Sequence, residues 1–375
     1  MSLAHNPSIV TNGLEFYYDV SNTQKSWKGA PTTNLCSFNI ASSGFNTDTP
    51  GNLTQIANST EVTYEGRLTR KMIIPAAGYC NYYIYNYNTG VSSGVFAASC
   101  KIKVTDGSNP NAFINAGYIY GSAGSFVVAV SFTALADGWY QLSWIYSGTS
   151  MTLNSLTGLT GTASKAITFY ITDYQLEALN ISTPFVVGTR SSTQALLDLT
   201  NKYTLTPTNV IYNSNGTFSF NNSWFDLNSN NIITGNNPFT VESWYTTTGT
   251  SADEIFGNYG SASTSGTLWI SGRYGTYING AVYFPGHPIG AGTYFLSTTR
   301  DNSGNVILYR NGVQVNSGVL AASIPVTYNF RIGADVNGGA EPFTGSIHSV
   351  RVYNRVLTAA EIAQNFNAHR GRYGL

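Results

Sequence analysis

Apolar and polar residues alternate with a period of two along most of this chain, and a helical period appears only at its end. Residues 9–20, IVTNGLEFYYDV, carry the first strand pattern, with aromatic and apolar positions interleaved. SNTQKSWKGAPTTN then reads as loop, punctuated by Gly29 and Pro31. A train of short strands follows at 60–74, 79–87, 92–104, 111–121, 125–132, 139–148 and 165–177, separated by Gly, Asn, Asp and Ser. Such spacing belongs to β-sandwiches and barrels. A second train runs from 209 to 357 and includes PFTVESWYTTTG (238–249), GTLWISGRYG (266–275) and NVILYRNGVQV (305–315). In FTVESWYT, Phe239, Val241, Ser243 and Tyr245 share one face, and Thr240, Glu242, Trp244 and Thr246 the other. Each face holds large apolar groups, so both are expected to be partly covered. At the end, Thr358 with Glu361 forms a capping box, Leu357 offers a staple, and Ile362 and Phe366 fall on one helical face. Gly371 is the expected stop. The pattern predicts an all-β protein of two β-sandwiches with one short C-terminal helix.

Composition narrows the partners. The chain has 375 residues, enough for two cores. Lys+Arg equals Asp+Glu at 18 each and only 10% of residues are charged, which leaves no electrostatic footprint for nucleic acid or for an acidic membrane surface. Aromatics at 14%, led by 26 Tyr, argue against disorder and suit contact surfaces. Cys36, Cys80 and Cys100 are too few and too scattered for a disulfide framework or a zinc site, and fit a reducing compartment. The first residues, MSLAHNPSIVTNG, lack a signal-peptide pattern, and no apolar run has membrane-spanning length.

From Asn237 onward the chain resembles the concanavalin A-like jelly rolls of the laminin-G type. The carrying segments are PFTVESWY (238–245), the hairpin around Asn311-Gly312, FRIGAD (330–335) and FTGSIHSVRVYNRVLTAAEI (343–362). In such modules a first strand of the form GLEFYYD is followed closely by a W-DL segment. Here GLEFYYD is at 13–19, and its continuation, ALLDLTNKYTL (195–205), comes about 175 residues later. The resemblance therefore implies a discontinuous outer jelly roll, 1–29 plus 191–375, with residues 30–190 inserted. The insert resembles carbohydrate-binding-module jelly rolls, through WKGAPTTNL (27–35), DGWYQLSWIY (137–146) and ITFYITDYQLEALNISTPFVVGTR (167–190). The alternative is two sandwiches in series. Modules of this kind, and the YQLE–TPF–GTR exit, are frequent in tailed-bacteriophage particles. The resemblance thus implies a virion component of capsid, neck, tail or fibre, assembled in the host cytoplasm. Other virion proteins, host glycans and further copies of itself, as a homotrimer, are its expected partners.

Catalytic chemistry is not written in the sequence. Retaining glycosidases need two carboxylates about 5 Å apart, and no ExDxxE strand supplies them; Glu242 stands alone, Glu254 follows Asp253, and Asp173 and Glu177 are spaced apart. His5, His287, His348 and His369 have no metal-ligand spacing, and no GxSxG occurs. No cofactor is expected, although Asp253, Asp301 and Asp335 are candidates for a loop-bound calcium. Glycan binding has more support. Tyr82, Tyr83, Tyr85 and Tyr87 in the insert, and Trp269, Arg273, Tyr274 and Tyr277 in the outer module, are candidate sugar-stacking and rim groups. Core packing is the competing reading for each. A non-enzymatic adhesion protein is the expectation, with a free or depolymerase-associated lectin as the alternative and a glycosidase last.

Overall fold

The computed structural model describes residues 8–22, 25–36, 45–46, 54–76, 82–85, 92–121, 124–186, 189–212, 218–248, 254–258, 268–271, 275–278, 290–335 and 342–375. The chain divides into two compact units, Met1–Ala30 with Ser192–Leu375, and Pro31–Ser191. The all-β class, the two sandwiches and the C-terminal helix are all present.

In the outer unit one antiparallel layer has the order Leu14–Asp19, Gly345–Tyr353, Phe239–Thr247, Gly292–Arg300, Asn305–Arg310, Val313–Val319. The second runs Thr206–Thr208, Trp224–Asp226, Arg331–Ile332, Glu254–Gly257, Leu268–Ser271, Gly275–Ile278. Phe16, Tyr18, Val241, Val350, Phe225 and Phe256 meet in one core between them. The Asn311-Gly312 turn has positive φ at both residues (51° and 80°), the geometry that matches strand twist in a two-residue hairpin.

The first strand pairs on one side with Gly345–Tyr353. Its other edge is closed by the segment after residue 194: Leu199 N–H donates to Tyr17 O (2.7 Å), Lys28 N–H to Ala195 O (2.8 Å), and Trp27 bridges Leu196. Asp198 fixes this return. Its carboxylate accepts from the backbone N–H groups of Tyr17, Thr200, Lys202 and Tyr203 and from the Thr200 hydroxyl.

Both faces of Phe239–Thr247 are buried, more completely than alternation alone foretold. Phe239, Val241 and Tyr245 face the sandwich core. Trp244 faces the C-terminal helix, Ala359–His369, and stacks on Phe366 (5.6 Å) and Tyr373 (4.4 Å). Thr358 caps that helix through both capping-box bonds, and Leu357 and Ile362 join Trp244 in a second apolar cluster. The expected stop at Gly371 is corrected. Arg370 keeps helical dihedrals and the chain winds on through a 3-10 turn, Arg370–Arg372, with positive φ (71°) only at Gly374. The extra turn accompanies the seating of Tyr373 on Trp244. A further single helical turn, Ser192–Ala195, had no sequence signal.

The inserted unit is also two-layered. One layer runs Thr54–Tyr64, Arg67–Ile74, Ile167–Glu177, Ser92–Val104, then the first half of Trp139–Thr160, with Val130–Ala134 beyond it. The second half of that long strand pairs with Tyr82–Tyr85 and Ala116–Gly121 in the other layer. The strand expected to end near residue 148 therefore continues to Thr160, because it serves both layers. Phe96, Ile102, Leu142, Trp144, Phe169 and Ile171 form the core.

Side-chain hydrogen bonds close this unit where the chain enters and leaves. Asn34 donates to Tyr174 O and Val186 O and accepts from the N–H groups of Cys36 and Leu176. Gln175 bonds Thr183 O and Val186 N–H, Glu177 accepts from Thr183 N–H (2.9 Å) and its hydroxyl (2.6 Å), and Arg190 donates to Pro184 O. The YQLE–TPF–GTR segment is thus explained by closure of the fold.

Candidate functional site

A β-bulge opens the site. In the first strand Leu14 opposes Tyr353 and Phe16 opposes Val352, so Glu15 is the extra residue. Bulges re-aim a side chain out of the ladder's alternation. The Glu15 carboxylate here accepts from Asn354 Nδ2 (2.6 Å) at one oxygen and from Lys202 Nζ (2.5 Å) at the other. Gly13 permits the arrangement. It has φ +78°, and a Cβ there would lie 2.9 Å from Asn354 Oδ1.

Glu15 and Asn354 line a cleft of about 340 Å³ in the outer unit. The apolar part of the lining is half-buried Pro238 with Ile232, Ile233, Phe239 and Tyr353, which are themselves buried, Phe239 and Tyr353 fully so. Exposed Asn231, Asn237 and Asn354 stand among its polar lining, with half-buried Tyr203 and Thr234. Asn231 accepts from Ser229 Oγ (2.7 Å), and Asn237 donates to Thr234 Oγ1 (3.2 Å). A carboxamide has two donors and two acceptor lone pairs, so each retains capacity for a ligand. Tyr203 is held by its N–H bond to Asp198 and by an edge contact with Phe16 (6.1 Å). Burial first, then the nearby Glu15 charge, holds the Tyr203 hydroxyl above its ordinary value, which keeps it a donor. The bond to Glu15 likewise raises the Lys202 ammonium.

None of these cleft residues was singled out from the sequence. The available signals were an acid interrupting an aromatic strand in GLEFYYD and amides flanking an apolar pair in NSNNIITGNNP. The aromatic residues that were singled out do not meet here. Tyr82, Tyr83 and Tyr85 lie on the strand Tyr82–Tyr85 of the inserted unit, not in the lining of this cleft. Tyr87, Arg273 and Tyr274 lie outside the described residues. Trp269 and Tyr277 are register partners in the antiparallel pair Leu268–Ser271 with Gly275–Ile278, on strands that do not line this cleft.

The carboxylates weighed for catalysis are engaged elsewhere. Glu242 accepts from Arg351 (2.9 Å) and Asn365 (2.9 Å) beneath the helix, and burial pushes its carboxyl up to about 7. Asp173, at the left-handed φ of 52°, binds Arg67 and Lys101. Glu177 belongs to the closure of the insert and Glu254 is fully buried. Among the calcium candidates, Asp301 organises its own turn by accepting from Ser303 and Asn305, Asp335 is buried, and Asp253 lies outside the described residues. Among the described residues no group of three or more His, Cys, Asp or Glu could hold a metal ion.

His369 is buried at the end of the C-terminal helix, half-buried His348 lies on the strand Gly345–Tyr353, and His5 and His287 are outside the described residues. Cys36 and Cys100 are buried, and Cys80 lies outside the described residues. No helix among the described residues is long and apolar enough to cross a membrane.

Residues 212–363 match a family model described as the concanavalin A-like lectin/glucanases superfamily, laminin-G type. The outer unit is a laminin-G-like jelly roll. Similar solved structures include domain 4 of AbnA, a GH43 extracellular arabinanase from Geobacillus stearothermophilus, in complex with arabinotriose. It is 20% identical with a TM-score of 0.37, over 45% of this chain and 91% of that one. The binding domain of botulinum neurotoxin DC, in complex with rat synaptotagmin II, is 13% identical with a TM-score of 0.34, over 47% and 49%. The botulinum neurotoxin serotype G binding domain is 15% identical with a TM-score of 0.35, over 46% and 48%. This chain thus spans about half the length of the neurotoxin chains. No curated protein matches.

Proposed function

We propose that this protein is a non-catalytic carbohydrate-binding module whose laminin-G-like jelly roll holds a glycan in the cleft between Glu15 and Asn237. The observation that carries this reading is the pairing of apolar surface with amides and a tyrosine. Sugars present C–H faces and hydroxyl edges together, and a site that holds them needs both surfaces close by. Glycoside hydrolysis needs a second carboxylate, about 5–9.5 Å from the first. Among the described residues Glu15 is the single carboxylate lining the cleft. Binding without bond cleavage is what such a site does.

Calorimetric titration with a panel of oligosaccharides tests the proposal. At least one should bind with no sugar release, and Tyr203→Ala should weaken it about tenfold, the effect of losing a contact worth about 1.4 kcal/mol. Loss of binding in Trp269→Ala, with Tyr203→Ala unaffected, would move the site to the strand that carries Trp269. A second reading places the module on the exterior of a tailed-phage particle as a homotrimer, supported by the sequence resemblance of the modules. Mass spectrometry of purified particles that failed to find the chain would end it.

A further inference from the structure

We infer that the cleft selects uncharged, hydroxyl-rich sugars, and that Lys202 sets this selection by masking Glu15. The inference rests on the carbohydrate-binding reading above and adds the ligand class and the residue that decides it.

Among the described residues the cleft lining contains no cationic side chain, and its one charged group is the Glu15 carboxylate. A uronic, sialic or sulfated sugar would bring an anion to that carboxylate with no cation in the lining to receive it. Left alone, the same carboxylate would draw a cationic amino sugar. It is not alone. Lys202 Nζ sits 2.5 Å from one oxygen, and the Asn354 amide donates to the other at 2.6 Å. Lys202 is not among the lining residues, and its charge compensates Glu15 through the ion pair at Oε2. The carboxylate keeps lone pairs that accept sugar hydroxyls. A neutral diol or triol is therefore matched by Glu15 as acceptor and by Asn231, Asn237 and Tyr203 as mixed donors and acceptors.

Position makes Lys202 separable from the fold. Its backbone N–H is bound by Asp198, a bond that any non-proline residue at 202 makes equally, and its side chain is 46% exposed. Replacing the ammonium with an apolar group of similar length should leave the loop in place and change only the charge presented by Glu15.

The test titrates the full chain with three sets of trisaccharides: neutral ones (cello-, malto-, xylo- and N,N′,N″-triacetylchitotriose), trigalacturonate, and the deacetylated glucosamine trimer. Wild type should bind a neutral trisaccharide at least tenfold more tightly than trigalacturonate. Lys202→Met should raise the affinity ratio of the glucosamine trimer to its acetylated form about fivefold, the factor for an exposed ion pair of about 1 kcal/mol. Lys202→Arg should hold the ratio at the wild-type value. Trigalacturonate binding as tightly as neutral sugars, or an unchanged ratio in a folded Lys202→Met, overturns the inference. So does neutral binding that is insensitive to Asn231→Ala and Tyr203→Ala, although the carbohydrate-binding reading then survives at another face. Binding of no saccharide in any set defeats both.

Discussion

Asp198 is buried and has no ion pair among the described residues, yet its carboxylate accepts four backbone N–H groups and one hydroxyl. Charge-assisted bonds of this kind are stronger than neutral ones, and removing their acceptor strands the buried Tyr17 N–H and leaves the part-buried donors of Thr200, Lys202 and Tyr203 without it. Asp198→Ala is therefore expected to cost about 2–4 kcal/mol by urea denaturation, and Asp198→Asn less. The same substitution should weaken glycan binding, because Lys202 and Tyr203 hang from the same carboxylate. Glu242 and Arg351 pose the opposite case, a fully buried pair. Glu242→Leu alone leaves Arg351 uncompensated and should destabilise by about 3–5 kcal/mol, whereas Glu242→Leu with Arg351→Met should recover most of the loss. A double-mutant cycle that shows additive losses would refute this account of the pair.

Among the elements, the C-terminal helix converts one face of a strand from surface to interior. Trp244, Phe295 and Phe366 are mutually in ring contact beneath it. Thr358→Ala removes the cap and should lower stability by about 1 kcal/mol. Two histidines make the same element sensitive to acid. Burial chiefly, then the charges of Arg351 and Arg372, lowers His369 to about 3, where its Nδ1 accepts from Arg351 (2.7 Å). Burial lowers His348, which packs on Tyr373, to about 4. Folded values below the ordinary 6.5 mean that this contribution is complete above pH 6.5 and is lost as pH falls toward 4 and 3. Glu242, raised to about 7 by burial, works the other way: its contribution is complete below its ordinary 4.5 and is lost as pH rises through 7. Two histidines outweigh one carboxyl over the acid range. The thermal midpoint should fall on acidification below pH 6.5, and His348→Gln with His369→Gln should flatten that slope; an unaltered slope would place the acid sensitivity elsewhere.

For the molecule as a whole, the chain's own hydrogen bonds define where it can be cut. Lys28 and Ala195 are bonded to each other in the outer unit, and Thr33 pairs with Thr189 in the insert. Chain ends held this close tolerate excision. Residues 1–30 joined to 192–375 by a short Gly/Ser linker should fold cooperatively, and residues 31–191 should fold alone. Circular dichroism melts of the two pieces check this, and an unfolded outer piece would mean that the insert supports it. The joined outer piece should also retain glycan binding, because the insert contributes no residue to the cleft lining.

Much of this protein was legible in local sequence. Period-two alternation specified strands, the Thr358–Glu361 box specified the helix start, and Asn311-Gly312 specified a hairpin, because each depends on residues within a few positions of one another. Alternation could not say that Asp198, in ALLDLTNKYTL, bonds back to the GLEFYYD strand about 175 residues earlier. The cleft lined by Glu15 and Asn354 was not legible. Glu15 acquires its role from a bulge against Tyr353, its charge balance from Lys202, and its neighbours from amides more than 200 residues away, and no periodicity carries such information. Burial decided the rest: the same alternating pattern placed Trp244 and Glu242 opposite the core face, and only the packing of the terminal helix made that face interior. Local propensity chooses the elements, but which polar groups share a cleft depends on how distant strands are brought into register.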